Sequence, residues 1–224
     1  MELNKFYNCD CMGFMATVPD KYFELAICDP PYGIGFDGQT TIIGKSGKAN
    51  TFSNYQHHMK KNWDIKTPDK NYFDELRRIS INQIIWGGNY FTDKLFVSRG
   101  WIYWDKKITN ANNHTHSDGE LAWTSFNKIL KKFTFDWVGF GYINNKEDRK
   151  IHPTQKPVTL YRWLLMNYAK KGDKIFDSHV GSASSLIACH LEGFEYVGCE
   201  LDPDYYKEAN ERLEAYKAQG DLFR

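Results

Sequence analysis

Phe23-Glu24-Leu25-Ala26-Ile27-Cys28-Asp29-Pro30-Pro31-Tyr32 is the stretch on which the reading of the whole chain turns. The apolar run Phe23 to Cys28 predicts a short buried strand. Asp29 stands at its carboxyl end, the edge of an open α/β sheet where ligands bind. Pro30 has no N–H and a fixed φ, and Pro31 pushes Pro30 away from helical backbone, so the turn is stiff before any ligand arrives. Asp29 and the Pro30 carbonyl supply two acceptors, and Tyr32 sets a ring face beside them. That combination suits a flat heterocycle bearing an exocyclic amine. A proline-rich turn that merely closes a strand, with Tyr32 as packing, accounts for the same four residues, so the remainder of the chain has to decide.

Outward from this turn, the 224 residues, 42% apolar and 25% charged, have the size and composition of one globular domain with a sizeable core. A net charge of +1 excludes a global attraction to nucleic acid and leaves only a local basic patch for that purpose. The aromatic content of 16% serves base stacking and an aromatic core equally well. Cys9, Cys11, Cys28, Cys189 and Cys199 show no paired spacing, which argues against a disulfide framework or a zinc site. No metal is expected, and His57, His58, His114 and His116 read as polar loop residues. Met1 to Lys5 is no signal peptide, and no apolar run approaches the ~20 residues of a membrane span, so a cytoplasmic protein is expected.

Lys5–Asn8 reads as a strand that places Asp10 at its end, as Asp29 stands at the end of the next one. The segment Gly33–Lys70 has no periodicity, and its 38 residues are too many for a passive connection. Its six lysines face three aspartates, a local balance of +3. Tyr72–Ile79 reads as a helix, Gln83–Trp86 as a strand stopped by Gly87-Gly88, and Asn89 as the cap of a short helix through Leu95. Trp101–Trp104 is a further strand. Leu121–Ser125 and Phe133–Val138 are expected to pair with each other. His152–Pro157 opens a helix to about Lys170. Lys174–Asp177 (strand), Ser184–Leu191 (helix), Tyr196–Glu200 (strand) and Pro203–Tyr216 (helix) complete a series that implies parallel sheet with right-handed crossovers.

Ile175 to Ser184 forms a second constellation: a strand, the acidic end Asp177, the small-residue turn Ser178-His179-Val180-Gly181-Ser182, and a helix start at Ser184. Glu200 ends the next strand 23 residues after Asp177. Small residues let a cofactor approach the backbone, and a carboxylate on the second strand binds ribose hydroxyls. G-x-G-x-x-G is absent, so a cofactor with a ribose and a carboxylate but no pyrophosphate fits better, its carboxylate at the helix N-terminus. An ordinary α/β crossover has the same outline.

Taken in order, Asp29–Tyr32, Trp86–Phe91, Trp101–Lys106, Glu120–Trp123, His152–Pro157, Asp177–Ser184 and Glu200 resemble the DNA amino-methyltransferases of the permuted beta class, whose base-binding motif precedes the cofactor motif. The resemblance implies a Rossmann-like α/β fold with a mainly parallel seven-stranded sheet and S-adenosylmethionine as cofactor. It implies that Asp29, the Pro30 carbonyl and Tyr32 hold a base flipped out of double-stranded DNA, with Asp29 also lying next to the cofactor. It further implies that Asp177, His179, Gly181, Ser182, Ser184 and Glu200 bind the cofactor, that Asp10 and Cys11 face its adenine, and that Thr154, Gln155 and Lys156 contact its amino-acid end. The family usually carries Pro-Phe where this chain has Ser178-His179, and Gly-Ser-Gly where it has Gly181-Ser182-Ala183.

The expected whole is a single domain over residues 1–224, with DNA-recognition loops at about 33–70 and 107–119 and phosphate contacts from the lysines of the first loop, Lys45, Lys48, Lys60, Lys61, Lys66 and Lys70, and from Lys106 and Lys107. The expected reaction is N6-adenine methylation of DNA, because family members acting on adenine more often begin the motif with Asp and members acting on cytosine with Ser. N4-cytosine methylation and a DNA-binding pseudoenzyme are the alternatives. Methylation of RNA or of a glutamine side chain ranks below them, since those enzymes more often carry Asn-Pro-Pro-Tyr after the cofactor motif. The recognition sequence, a restriction-modification partner and homodimer formation stay open at this level.

Overall fold

The computed structural model describes residues 1–36, 61–107, 117–135, 137 and 151–221, apart from the side chains of 220 and 221. The expected lysines 45, 48 and 60, and the loop residues 108–116, lie outside the described residues. The strands are β1 (Lys5–Asn8), β2 (Phe23–Cys28), β3 (Ser80–Trp86), β4 (Trp101–Asp105), β5 (Gly119–Thr124), β6 (Lys131–Thr134), β7 (Lys174–Asp177) and β8 (Glu195–Glu200). The helices are α1 (Cys11–Met15), α2 (Lys70–Ile79), α3 (Val158–Tyr168), α4 (Ser184–Glu192) and α5 (Pro203–Asp221).

One sheet of eight strands runs in the order β1-β8-β7-β2-β3-β5-β4-β6. Only β5 opposes its neighbours; every other pairing is parallel. From Leu25 to Cys28, alternate residues of β2 feed opposite faces, as a strand buried on both sides requires, while Phe23 at its start departs from that alternation. Leu25 and Ile27 join the apolar cluster with Leu160, Leu164, Ile187 and Leu213, whereas Phe23, Ala26 and Cys28 join Met15, Phe73, Leu76 and Ile79. Helices α3, α4 and α5 therefore cover one face, and α1 and α2 the other.

The sheet has eight strands, not seven, and β6 pairs with β4 in parallel rather than with β5. Both edges of β5 are already taken by β3 and β4, so the outer edge of β4 is what β6 can reach. Residues 152–157 precede the helix rather than opening it. Pro157 is extended at φ −70° and ψ 144°, and α3 starts at Val158. After Gly87, only a 3-10 turn at Gly88–Tyr90 forms. Among the described residues no helix is long and apolar enough to cross a membrane.

This order puts a switch point between β2 and β7. The chain leaves β2 toward β3 on one side, and leaves β7 toward β8 on the other. Crevices at such points, outside the carboxyl ends of the strands, are where ligands of open α/β sheets sit. Asp29 and Asp177 flank this one, since Ala26 pairs with Phe176.

Candidate active site

The Asp29 turn is held from outside by Asp64, which is 2% exposed. Its Oδ1 accepts from the backbone N–H groups of Tyr32 and Gly33, both at 2.8 Å, and its Oδ2 accepts from Phe36 N at 2.8 Å. Its carbonyl accepts from Gly35 N at 2.9 Å. Four donors of a turn lacking regular structure are thus satisfied by one residue, as buried backbone requires. Asp64 lies in the aperiodic segment, where sequence reasoning counted it only as a charge.

Tyr32 donates its hydroxyl to Asp29 Oδ1 at 2.6 Å and stacks on Tyr90, with centroids 4.9 Å apart at 14°. Its ring passes directly over Gly87, where a Cβ would lie 2.2 Å from Tyr32 Cε1. Gly87 also has φ +67°, so its lack of a side chain is required twice.

Lys156 comes in from the turn before α3 and, almost completely buried, places its ammonium on Asp29 Oδ2. The same nitrogen lies 3.1 Å from Glu120 Oε2 and 3.3 Å from the Tyr32 hydroxyl. Glu120 in turn meets Lys106 at 2.6 Å. Glu120 reaches this place because β5 is antiparallel, so its amino end lies at the carboxyl edge of the other strands; Glu120 pairs with Trp104, just before Lys106. Burial raises the Asp29 carboxyl, with Lys156 and Tyr32 pulling against it. Burial also opposes the charge of Glu120, but Lys156 and Lys106 outweigh it and hold that carboxyl down at about 2.

On the other side of the switch point, Asp177 accepts from Ser185 Oγ at 2.5 Å and from His179 N at 3.0 Å. Burial, reinforced by the charges of Asp29 and Glu200, pushes it up to about 7. Glu200 accepts from Gly181 N and Asp202 N, both at 2.9 Å, and burial raises it as well. The Ser182 and Ser184 hydroxyls bond each other at 3.1 Å, and Arg212 donates to Ser184 Oγ at 3.0 Å. Those hydroxyls are spent inside the protein. His179 bonds Ser178 Oγ at 2.8 Å, and burial lowers it to about 4, so it is a neutral flat ring near pH 7. Asp10 caps α1 through Met12 N at 3.1 Å, and burial pushes the Cys11 thiol up to about 12.

Thr154 Oγ1 bonds His152 Nδ1 at 3.1 Å. Gln155 Oε1 accepts from Ile151 N at 2.9 Å, and its buried Nε2 has no acceptor among the described residues. Ala183, where the family carries glycine, is at φ +64° and wholly buried in the core, so its methyl packs inward. Of the lysines expected on DNA, Lys61 is tied to Asp202 at 2.6 Å and Asp204 at 2.7 Å, and Lys106 to Glu120. These ion pairs, formed within the protein, compete with a phosphate-binding role.

The residues expected to hold S-adenosylmethionine can be tested by charge. Asp10, Asp29, Asp177 and Glu200 gather at one sheet edge, and burial raises the last three, with Lys156 the cation beside Asp29. Buried carboxylates raised in this way favour a ligand that brings positive charge. S-adenosylmethionine does so, through its sulfonium and ammonium groups. The free Gln155 N–H adds a donor for an acceptor such as a carboxylate.

A family model described as DNA methylase matches residues 103–211. The type II methyltransferase M2.DpnII of Streptococcus pneumoniae is 24% identical over 238 residues, covering 92% of this chain and 88% of that protein. Among solved structures, M1.HpyAVI in complex with SAM superposes with a TM-score of 0.60 at 16% identity, over 93% of this chain and 98% of that one. The cytosine-N4-specific PvuII DNA methyltransferase gives 0.57 at 12% identity, over 95% and 90%.

Proposed function

We propose that this chain is a DNA amino-methyltransferase that methylates the N6 amine of adenine in DNA, with S-adenosylmethionine as methyl donor; the DNA methylase match over residues 103–211 and the likeness to M2.DpnII and M1.HpyAVI support this reading. The observation that carries this reading is the placement of Asp29 and Tyr32 next to Asp177 across the switch point, so that a base and a cofactor can meet at one sheet edge. Adenine is favoured over cytosine by the motif letter Asp29 and by the larger gain a purine makes in stacking on tyrosine. The fold shared with the cytosine-N4-specific PvuII enzyme supports N4-cytosine as the second reading. Incubating the protein with labelled cofactor and duplex DNA, then identifying the modified nucleoside by mass spectrometry, separates the two.

Asp177, Gly181, Ser182, Ser184 and Glu200 would hold the cofactor with Asp10, Cys11, His179, Thr154 and Gln155, and Ser182 and Ser184 would offer backbone N–H groups rather than their hydroxyls. The cofactor, when bound, supplies a methyl group on an electrophilic sulfonium. Asp29 and the Pro30 carbonyl hold the two N–H groups of the target amine and aim its lone pair, so the chain contributes mainly positioning. Asp29 then takes the proton that the methylated nitrogen sheds. A flipped base that takes the place of Tyr90 on the Tyr32 ring recovers part of its unstacking cost, a few kcal/mol.

Cofactor binding is expected to tighten as pH rises from 6 to 8. Asp177 titrates at about 7 in the free protein, and a cationic ligand prefers its ionised form, so binding near pH 7 releases protons. Glu200, also raised, acts in the same direction. Calorimetry in two buffers of different ionisation enthalpy detects those protons. A pH-independent dissociation constant would remove Asp177 from the cofactor site. Glu200→Ala is expected to weaken cofactor binding by on the order of 1.5–3 kcal/mol, the value of hydrogen bonds to a charged acceptor. An unchanged constant would place the ribose elsewhere.

A further inference from the structure

Both oxygens of Asp29 are engaged. Oδ1 accepts from Tyr32 and Oδ2 from Lys156. The methyl-transfer reading, on which this inference rests, requires Asp29 to accept from an incoming amine, which has to share an oxygen with one of these partners or displace it. Tyr32 is pinned by its stack on Tyr90 and by Gly87 beneath its ring. Lys156 is not pinned in that way. Its nitrogen has a second carboxylate 3.1 Å away in Glu120, and the rings of Tyr32 and Trp86 lie 5.7 and 5.4 Å from it. Lys106 secures the other oxygen of Glu120 at 2.6 Å.

We propose that Lys156 is a positioning residue that moves between two carboxylates, resting on Asp29 while the base pocket is empty and on Glu120 when the target amine binds Asp29. The nitrogen already contacts both carboxylates, so the transfer needs only a small rotation of a flexible ammonium, which can point its three donors in several directions. The cluster stays neutral on the way, two carboxylates facing two lysines, and Lys156 on Glu120 is still a near neighbour of Asp29. A buried charge that loses its partner is what makes broken ion pairs costly. Asp29 faces Lys156, Glu120 and the Tyr32 hydroxyl, with Tyr161 and Asp177 nearby; Glu120 faces Lys156 and Lys106. A static brace between β2, β5 and the turn before α3 would show the same contacts, so the test has to detect the shared charge.

In the full chain with 13C-labelled aspartate, the Asp29 carboxyl can be assigned by its loss in Asp29→Asn and followed through a pH titration. In Lys156→Met it should titrate at least one pH unit higher, a tenfold gain in proton affinity, because its cation is gone. In Glu120→Gln it should titrate lower, because a like charge is gone, while methyl transfer still falls at least tenfold as Lys156 stays on Asp29. If Lys156→Met does not fold, Lys156→Arg serves. It keeps the charge and the titration but slows transfer at least tenfold, since a planar fork holds its carboxylate with two bonds. Asp29 titrating alike in wild type, Lys156→Met and Glu120→Gln, or full transfer by Glu120→Gln, would overturn the inference. A wild-type protein that transfers no methyl to DNA would end the underlying reading, while the titrations would still decide whether the charge is shared.

Discussion

Asp29→Ala is expected to abolish methyl transfer while cofactor binding survives in weakened form. The substitution removes the acceptor that orients the amine and the group that takes its proton. General-base groups contribute typically ~10²–10⁴-fold, and a loss in that range is expected here. The stack of Tyr32 on Tyr90 does not depend on the carboxylate, and Lys156 keeps Glu120 as a partner, so the fold should persist. Single-turnover kinetics beside calorimetry separates the two effects. Turnover above about a tenth of wild type, a barrier change under ~1.4 kcal/mol, would deny Asp29 its role.

The second large effect is expected at a residue that touches no reactant. Asp64→Ala strips the side-chain acceptor from the N–H groups of Tyr32, Gly33 and Phe36. Each unsatisfied donor costs ~1–3 kcal/mol when buried. Water can reach the exposed Gly33, so a total of about 2–4 kcal/mol is expected. Activity should fall with stability, because the same turn aims Asp29 and Tyr32. Asp64→Asn, with one acceptor oxygen left, should fall between the two. Hydrogen exchange at the three amides is the direct readout, and protection equal to wild type would mean that the turn does not depend on Asp64.

Much of this arrangement was legible in the residues. The strand Phe23–Cys28 agrees at both ends, because apolar residues, broken only by Glu24, run until Asp29-Pro30 forbids continuation. Asp177 and Glu200 stand at strand ends as expected, each where an apolar run meets a carboxylate. What stayed hidden depends on long-range geometry. Asp64 sits in a segment with no periodicity, and nothing local marks it as the partner of a turn about thirty residues away. Glu120 carries a faint signal, a charge that opens an otherwise apolar strand, but its role follows from β5 running against its neighbours. The engagement of Lys61 and Lys106 could not be seen from a charge count, which registers lysines but not the carboxylates that hold them.

The strand order also bears on how the molecule comes to exist. Strands β1 and β2 are made first, yet β8 and β7 separate them in the sheet. A growing chain that has emerged only to residue 173 has the turn at Asp29 but a gap where two strands belong, and contacts of such long sequence separation form slowly. The Asp29 half of the crevice has no facing half until residues 174–200 thread between the earliest strands. Competence therefore comes late in synthesis and in a single step. A nascent or truncated chain short of that point would carry its most recognisable motif and still be unable to modify DNA.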